Sequence, residues 1–237
     1  MKKIYWSNFC QVDALPRMKL LNERPQKVIT ALKKKMILRE KNLVMCPASN
    51  DFFQNTYMLT FPKHFEVNFD KDGNIVDDNN NFFLFRQKQF ENRISVELDI
   101  SWIFFSEENL ILEVMPPFYH QTSLNERGVL ACGKFDIGAW FRPINLSFML
   151  WENENKFVAE ENEPICYLRF LTEEPIKLLE FNITQPLLDI AKSCVFHPNY
   201  YRKQIPLLKR YEIFKRSNLK IDIMKEIKMN LVGSHEY

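Results

Sequence analysis

The sequence predicts a single, mainly β domain: a β-sandwich (jelly roll) or double-stranded β-helix core, with an N-terminal α/β cap and C-terminal helices. Apolar and polar residues alternate through much of residues 61–182, which is typical of half-buried strands. Turn signals such as Asp72-Gly73 and Pro116-Pro117 separate these segments at the spacing of a sandwich or barrel. Hydrophobic residues make up 46% of the 237-residue chain, enough for a large core.

Residues 1–60 are predicted to form the mixed cap. The segment from Ile4 to Trp6 predicts an opening strand. In ERPQKVITALKKKMILREKN, helical spacing gathers apolar residues near one face: Val28, Ile29, Leu32, Met36 and Ile37. The segment CPASNDFFQNTYMLTFP then predicts a short helix, with its N-cap at Ser49, Asn50 or Asp51, and a strand that ends at Pro62.

The β core is predicted for residues 61–182. FEVNFD is one strand, and ISVELDISWIFF shows the cleanest alternation, at Ile94, Val96, Leu98, Ile100 and Trp102. VDDNNN, from Val76 to Asn81, predicts a loop. Further strands follow in NLILEVMPPF, GVLACGKF, PINLSFMLW, PICYLRFL and PIKLLEFN. Strands and helices do not alternate, which argues against a doubly wound parallel sheet.

Residues 183–237 are predicted to be helical. Thr184 is placed to cap a helix that carries Pro186 in its first turn. In QIPLLKRYEIFKRSN, helical spacing predicts an apolar stripe of Leu207, Leu208, Tyr211 and Phe214. Internal repeats and low-complexity linkers are absent from the sequence, so we expect residues 1–237 to pack as one domain.

Charge, apolar runs and cysteine spacing limit the partners and the location that the sequence predicts. The net charge is +2, from 32 basic and 30 acidic residues, so no global field favours a nucleic acid or a membrane surface. No apolar run approaches the ~20 residues that span a bilayer, and the first residues lack the apolar region of a signal peptide. The five cysteines are widely spaced and form no CxxC pair, which predicts reduced thiols and a cytoplasmic location.

Sites for metals and cofactors are not predicted. The four histidines, His64, His120, His197 and His235, form no HxH, HxD or HxxH pair. Cys132 has no base beside it in the sequence, and we predict a buried strand cysteine. The sequence contains no GxSxG, P-loop or GxGxxG motif.

The stretch from Gly133 to Trp151 carries the sharpest hypothesis for catalysis. There Asp136 would act as a base and Arg142 as an anion anchor, with His120 as a partner. In the alternative interpretation, which we favour, the glycines allow a tight bend and Asp136 bonds to local backbone while Trp140 enters the core. A concave pocket shared by Asp136 and Arg142 would distinguish an enzyme from a binding module with an aromatic patch elsewhere.

Three segments within residues 110–172 carry a family resemblance: NLILEVMPPF, GKFDIGAWFRPINLSFMLW and KFVAEENEPICYLRF. Their succession resembles an uncharacterised family of tailed bacteriophages and some bacteria, and CPASNDFFQNTYMLTFP resembles segments of related marine phage proteins. Together they span about half of the chain. The resemblance implies a phage source and a cupin-like, double-stranded β-helix fold, hence the cytoplasm of an infected host or the phage particle. It implies no reaction.

A fainter similarity links GKFDIGAWFRP to the turn of the trimeric dUTPase family, in which an aspartate activates water. Asp136 is the matching residue. The phosphate loop, the Ala-x-x-Asp-Leu strand and the glycine-rich arm of that family are absent from this sequence. Without them a triphosphate and its magnesium have no cradle.

The favoured partner is a host or virion protein, bound through aromatic and arginine anchors. Nucleic acid is the alternative, because basic residues cluster in YYRKQIPLLKRYEIFKR with interleaved Tyr200, Tyr201, Tyr211 and Phe214. The basic residues of that cluster are Arg202, Lys203, Lys209, Arg210, Lys215 and Arg216. The leading prediction is a non-catalytic binding or accessory protein, and a nucleotide hydrolase-like or cupin-like enzyme is the alternative.

Overall fold

The computed structural model describes residues 1–8, 24–35, 46–78, 84–90, 93–98, 102–195 and 206–233. Strands account for 38% of the described residues and helices for 28%, so the prediction of a mainly β protein is confirmed. The strands are β1 Lys2–Asn8, β2 Gln26–Lys27, β3 Thr56–Thr60, β4 Phe65–Phe69, β5 Ile75–Asp78, β6 Leu84–Phe90, β7 Arg93–Leu98, β8 Trp102–Phe105, β9 Ile111–Met115, β10 Gly128–Leu130, β11 Gly133–Asp136, β12 Leu146–Leu150, β13 Lys156–Ala159, β14 Pro164–Phe170 and β15 Ile176–Glu180. The helices are α1 Val28–Lys35, α2 Pro47–Phe53, α3 Ser123–Arg127, α4 Gln185–Val195, α5 Leu207–Arg216 and α6 Leu219–Met229.

The described strands form four sheets. Their strand orders are β15-β1-β8, β10-β12-β7-β6, β11-β9-β14-β3-β2 and β13-β4-β5. β1 and β15 pair in parallel, and the other strand pairs are antiparallel. Strands β1 to β3 therefore lie in the same sheets as strands from residues 61–182.

A large hydrophobic core receives side chains from all four sheets. Trp6, Leu168, Phe148 and Phe157 represent one sheet each, and all four are buried. Phe157 packs edge-to-face between Phe65 and Phe148, with ring centroids 5.6 and 5.4 Å away. Such aromatic pairs add about 0.5–1.5 kcal/mol beyond the burial of their area.

A second hydrophobic cluster joins the helical end to the three-stranded sheet. Tyr5 and Phe105 project from β1 and β8 toward α4, α5 and α6, whereas Trp6 and Phe104 project into the large core. β1 and β8 are therefore buried on both faces, and all four residues of β8 are buried. This is why the sequence of these strands shows no polar alternation.

Helices α1 and α2 cover one end of the outer face of the five-stranded sheet. Val28 and Leu32 of α1 and Phe53 of α2 pack with Met58 and Tyr167 of the sheet. Within the described ranges, no helix has the length and apolarity needed to span a bilayer.

Several local predictions were wrong. ISVELDISWIFF is not one strand: β7 ends at Leu98 and β8, in another sheet, begins at Trp102, while Ile100 lies outside the described residues. The acidic segment predicted as a loop forms, up to Asp78, part of strand β5. Cys46, not one of the three predicted residues, is the N-cap of α2, because Pro47 occupies the first turn, where its missing N–H costs nothing.

The helical end also differs in detail from its prediction. Helix α4 begins after Thr184 as predicted, but the Thr184 hydroxyl donates to Glu226 Oε1 at 2.8 Å. Leu208 does not belong to the buried stripe, because its side chain is 78% exposed. The buried side of α5 is formed by Phe214 with Tyr211 partly buried beside it.

Candidate functional site

Asp136, the predicted base, lies at the end of edge strand β11. The Gly138 N–H donates to Asp136 Oδ1 at 3.2 Å, and the Ala139 N–H donates to the Asp136 carbonyl at 3.2 Å. Asp136 Oδ2 is 3.3 Å from Lys215 Nζ of α5. Both carboxylate oxygens are thus engaged in a local turn and in the docking of a helix, as a turn-forming aspartate requires.

Gly138 is required at this turn by a close approach of the backbone. A Cβ at this position would lie 2.0 Å from the carbonyl oxygen of Glu108 and 2.7 Å from its carbon. The Gly138 carbonyl accepts from Lys220 Nζ at 2.9 Å, and burial lowers the pKa of this lysine. The turn is therefore held by contacts to the β8–β9 connection and to α6.

Trp140 and Arg142 follow the turn and face the helical end. Trp140 is 7% exposed, and its ring lies 4.7 Å from Tyr211 and 6.0 Å from Phe214, between centroids. Arg142 is half-buried and its Nε donates to the Pro143 carbonyl at 3.4 Å. The charges of Arg142 and Asp136 both act on the pKa of Tyr211, which burial raises. Neither Asp136 nor Arg142 lines either of the two cavities described below.

His120, the predicted partner of Asp136, lies at the other end of strand β9. Its Nδ1 is 2.6 Å from the Tyr167 hydroxyl, and its side chain is buried. Tyr167 pairs with Met115, whereas Asp136 pairs with Ile111, four residues or ~13 Å along the same strand. The structure therefore does not bring His120 and Asp136 together. Burial raises the pKa of Tyr167, so the buried pair keeps a neutral phenol.

Replacing Asp136 by asparagine is expected to lower the free energy of unfolding by less than about 1 kcal/mol. Asparagine retains the Oδ1 that accepts from the Gly138 N–H, and it loses only the charge opposite a half-exposed lysine. Urea denaturation of the variant beside wild type measures the difference. A turnover reaction that disappears in this variant would support the catalytic interpretation instead.

The thiols and histidines form no metal site among the described residues. Cys132 is exposed, so the prediction of a buried strand cysteine was wrong: the residue lies in the short connection between β10 and β11. His64 is exposed, with its Nδ1 2.8 Å from Glu160 Oε2. Cys166 and Cys194 are buried, and burial raises the pKa of each.

The basic cluster proposed for nucleic acid is only partly described. Arg202 and Lys203 lie outside the described residues, as do Tyr200 and Tyr201. Lys209, Lys215 and Arg216 are exposed on α5, and Arg210 is half-buried. Phe214 is buried against Trp140 and offers no ring face on which a base would stack, whereas Tyr211 is partly buried against the same tryptophan.

An exposed aromatic surface lies on the other side of the five-stranded sheet from the core. Phe118 is 53% exposed, and its ring centroid lies 5.7 Å from that of Phe52, 5.0 Å from Tyr119 and 5.3 Å from Tyr167. The guanidinium of Arg169 lies 4.4 Å from the ring centroid of Phe52. We refer to Phe52, Phe118, Tyr119 and Arg169 as the aromatic surface.

The backbone holds Phe118 in a rigid turn. Pro116 and Pro117 restrict φ before it. The Phe118 N–H donates to the Pro116 carbonyl at 2.9 Å, and the His120 N–H donates to the Pro117 carbonyl at 2.8 Å. Three aromatic rings therefore pack against the exposed ring of Phe118, and two turn hydrogen bonds fix the backbone that carries it.

A cleft of about 880 Å³ adjoins the aromatic surface, between α2 and the end of β14. Phe52 and Arg169 belong to both the surface and the cleft. Arg169 also faces Glu113 directly across the strands, at 3.7 Å, and Lys134 lies 3.1 Å from Glu113 on its other side. Two exposed acidic side chains, Asp51 and Glu173, also line the cleft.

Sequence reasoning did not single out Phe52, Phe118 or Arg169. One signal was present: the aromatic pair Phe118-Tyr119 directly follows two prolines, and large apolar residues in such a turn are unusual for a solvated loop. Nothing in the sequence pairs Arg169 with Phe52, since 117 positions separate them.

Comparison with known proteins does not assign this chain to a family. No protein-family model matches the chain, and no curated protein matches its sequence. The function is therefore inferred from the geometry of the described residues.

Proposed function

We propose that this protein is a non-catalytic binding or accessory protein that contacts a protein partner through the aromatic surface. The observation that carries the proposal is Phe118, which keeps 53% of its surface exposed while a rigid turn and neighbouring rings hold it still. Exposed, preorganised aromatic side chains lose little entropy on binding and are enriched among the residues that dominate interface energies.

Arg169 supports the same proposal. Its guanidinium is held over Phe52 and beside Glu113, so its planar face is already oriented before any partner arrives. Arginine stacked on an aromatic ring can still donate hydrogen bonds in its own plane. Arginine and aromatic residues, phenylalanine included, are both enriched at protein interfaces.

The polar groups of the cleft favour a macromolecule over a small molecule. The Asn55 side-chain amide donates to the Thr172 and Glu174 carbonyls at 2.7 and 2.9 Å, and Gln54 donates to the Glu173 carbonyl at 3.3 Å. A small-molecule site needs several polar groups that converge on the ligand. Here both amides serve the fold, which leaves the ring faces and the charged groups of Arg169, Asp51 and Glu173 for recognition.

The finer architecture and the source belong to the same proposal. A core shared by four sheets supports a β-sandwich or double-stranded β-helix arrangement. The resemblance of residues 110–172 to tailed phage proteins supports a phage accessory or structural protein. Such a protein would act in the cytoplasm of the infected host or in the phage particle, with a host or virion protein as its partner.

Replacing Phe118 by alanine is expected to weaken partner binding by about tenfold or more, since central aromatic anchors commonly contribute 2 kcal/mol or more. Stability should change by less than about 1 kcal/mol, because half of the ring is already in solvent. Tagged wild-type and variant proteins purified from infected cells, followed by titration of the recovered partner, measure the effect.

Leu208→Ala is the matched control, since Leu208 is 78% exposed on α5, outside the aromatic surface. It should recover the partner at the wild-type level. Equal recovery by Phe118→Ala would contradict the proposal. Saturable turnover of a small molecule by the purified protein would contradict its non-catalytic part.

A further inference from the structure

A small apolar cavity opens at the helical end of the molecule, between the end of α4 and helix α5. Its volume is about 190 Å³. Trp140, Cys194 and Phe214 line it and are themselves buried, while Ile213, 49% exposed, lines its mouth. Leu219 and Arg210 also line the cavity.

The volume of this cavity limits the kind of ligand that it can hold. Pockets for small molecules begin at ~300 Å³ and carry several convergent polar groups. This cavity is smaller, and most of its lining residues are apolar. It fits a single large apolar side chain from another chain, in the manner of an anchor residue in an interface pocket.

Positive charge predominates on helix α5, which forms one side of the cavity. Helix α5, LLKRYEIFKR, carries four basic residues and one acidic residue. One of the four, Arg210, lines the cavity itself. The nearby carboxylate of Asp136 is balanced by Lys215.

We propose that the helical end docks an acidic protein segment, which inserts one large apolar side chain into this cavity while its carboxylates face the basic residues of α5. This second site does not depend on the aromatic surface. Nucleic acid fits the charge equally well but not the cavity, because the rings of Trp140 and Phe214 are buried and offer no face for stacking. The half-exposed side chain of Ile213 adds apolar contact area at the mouth.

Fluorescence anisotropy with the full-length protein tests this proposal. The probes are short labelled peptides of Asp and Glu around one central Leu, Ile, Met, Phe or Trp, with an alanine-centred peptide and labelled oligothymidylate for comparison. At least one apolar-centred peptide should bind about tenfold more tightly than the alanine-centred one. Its affinity should fall as salt is raised, since exposed charges supply part of the attraction.

Two variants locate the site. Ile213→Glu places a carboxylate at the mouth of the cavity and should weaken the tightest peptide by about tenfold or more. Ile221→Glu makes the same change at a 68% exposed position on α6 that does not line the cavity, and screening should limit its effect to about twofold. Melting curves of both variants confirm that they are folded. Phe118→Ala should leave peptide binding unchanged.

Three outcomes would overturn the proposal. The first is that no acidic peptide binds, and the second is that the alanine-centred peptide binds as tightly as the others. The third is that Ile213→Glu and Ile221→Glu have equal effects. Tighter binding of oligothymidylate than of every peptide would assign the basic helix to nucleic acid instead.

Discussion

Replacing Trp140 by alanine is expected to lower the free energy of unfolding by about 3–5 kcal/mol, the range for removing a buried tryptophan or phenylalanine. Trp140 is 7% exposed and packs on both Tyr211 and Phe214. It connects the turn after β11 to helix α5. The lost side chain leaves a cavity that the fixed backbone of the sheet cannot close.

Thermal unfolding followed by circular dichroism measures this effect. For a domain of this size, 1 kcal/mol corresponds to roughly 2–4 °C, so the midpoint should fall by roughly 6–20 °C. Trp151→Ala is the matched control, because Trp151 is 41% exposed, and its midpoint should fall by only a few degrees. Equal shifts for the two variants would show that Trp140 does not anchor the helical end.

Limited proteolysis distinguishes local unfolding of the helical end from global unfolding of the protein. If Trp140 holds α5 against the turn, cleavage in α5 should precede cleavage in the β core of the Trp140→Ala variant. This order is expected because local openings cost less free energy than global unfolding where few buried contacts remain. Simultaneous cleavage of both regions would place Trp140 in the same cooperative unit as the core.

Replacing Gly138 by alanine is expected to destabilise the protein by about 3 kcal/mol, near the upper end for an overpacked position. The added Cβ would lie 2.0 Å from the Glu108 carbonyl oxygen, which belongs to the backbone and cannot rotate away as a side chain would. The turn must then move, and its contacts with Lys215 and Lys220 move with it.

Gly133→Ala is the control for this prediction. There the nearest atoms to an added Cβ belong to the Phe135 ring, at 3.3 Å, and a ring edge can shift by a few tenths of an ångström. Urea denaturation should show a loss of less than about 1 kcal/mol for Gly133→Ala. A Gly138→Ala variant as stable as wild type would mean that the turn tolerates displacement.

Together, the Trp140 and Gly138 variants test whether the stretch from Gly133 to Arg142 is architecture. Large stability losses at Trp140 and Gly138, with a small loss for Asp136→Asn, match the contacts seen in the structure. The small loss for Asp136→Asn is expected under both interpretations, so turnover distinguishes them: a catalytic stretch would lose its turnover in this variant.

Local pattern in the sequence was sufficient where a strand has one buried and one partly solvated face. Phe65, Val67 and Phe69 of β4 are buried and the residues between them are half-buried, as alternation predicts. The mainly β class, the helical end and the turn at Gly138 follow from equally local signals, whereas Gly133, predicted to lie in the same bend, begins strand β11. Periodicity and turn chemistry act over a few residues, so one sequence contains them.

Contacts between distant parts of the chain were decided by the tertiary structure alone. β8 is buried on both faces because helices from the C-terminal region cover one of them. Its sequence does not indicate which face packs against the large core and which against the helices. His120 meets Tyr167 rather than Asp136 because strand register, not sequence distance, sets the neighbours of a side chain.

The aromatic surface illustrates the same limit for function. Phe52 lies on α2, Phe118 on a turn after β9 and Arg169 on β14, and only the packing of the five-stranded sheet brings them together. The sequence by itself determined the class of fold and the turn that interrupts it, through short-range periodicity and backbone chemistry. The tertiary structure decided which side chains meet and which stay exposed, because burial depends on partners that lie far away along the chain.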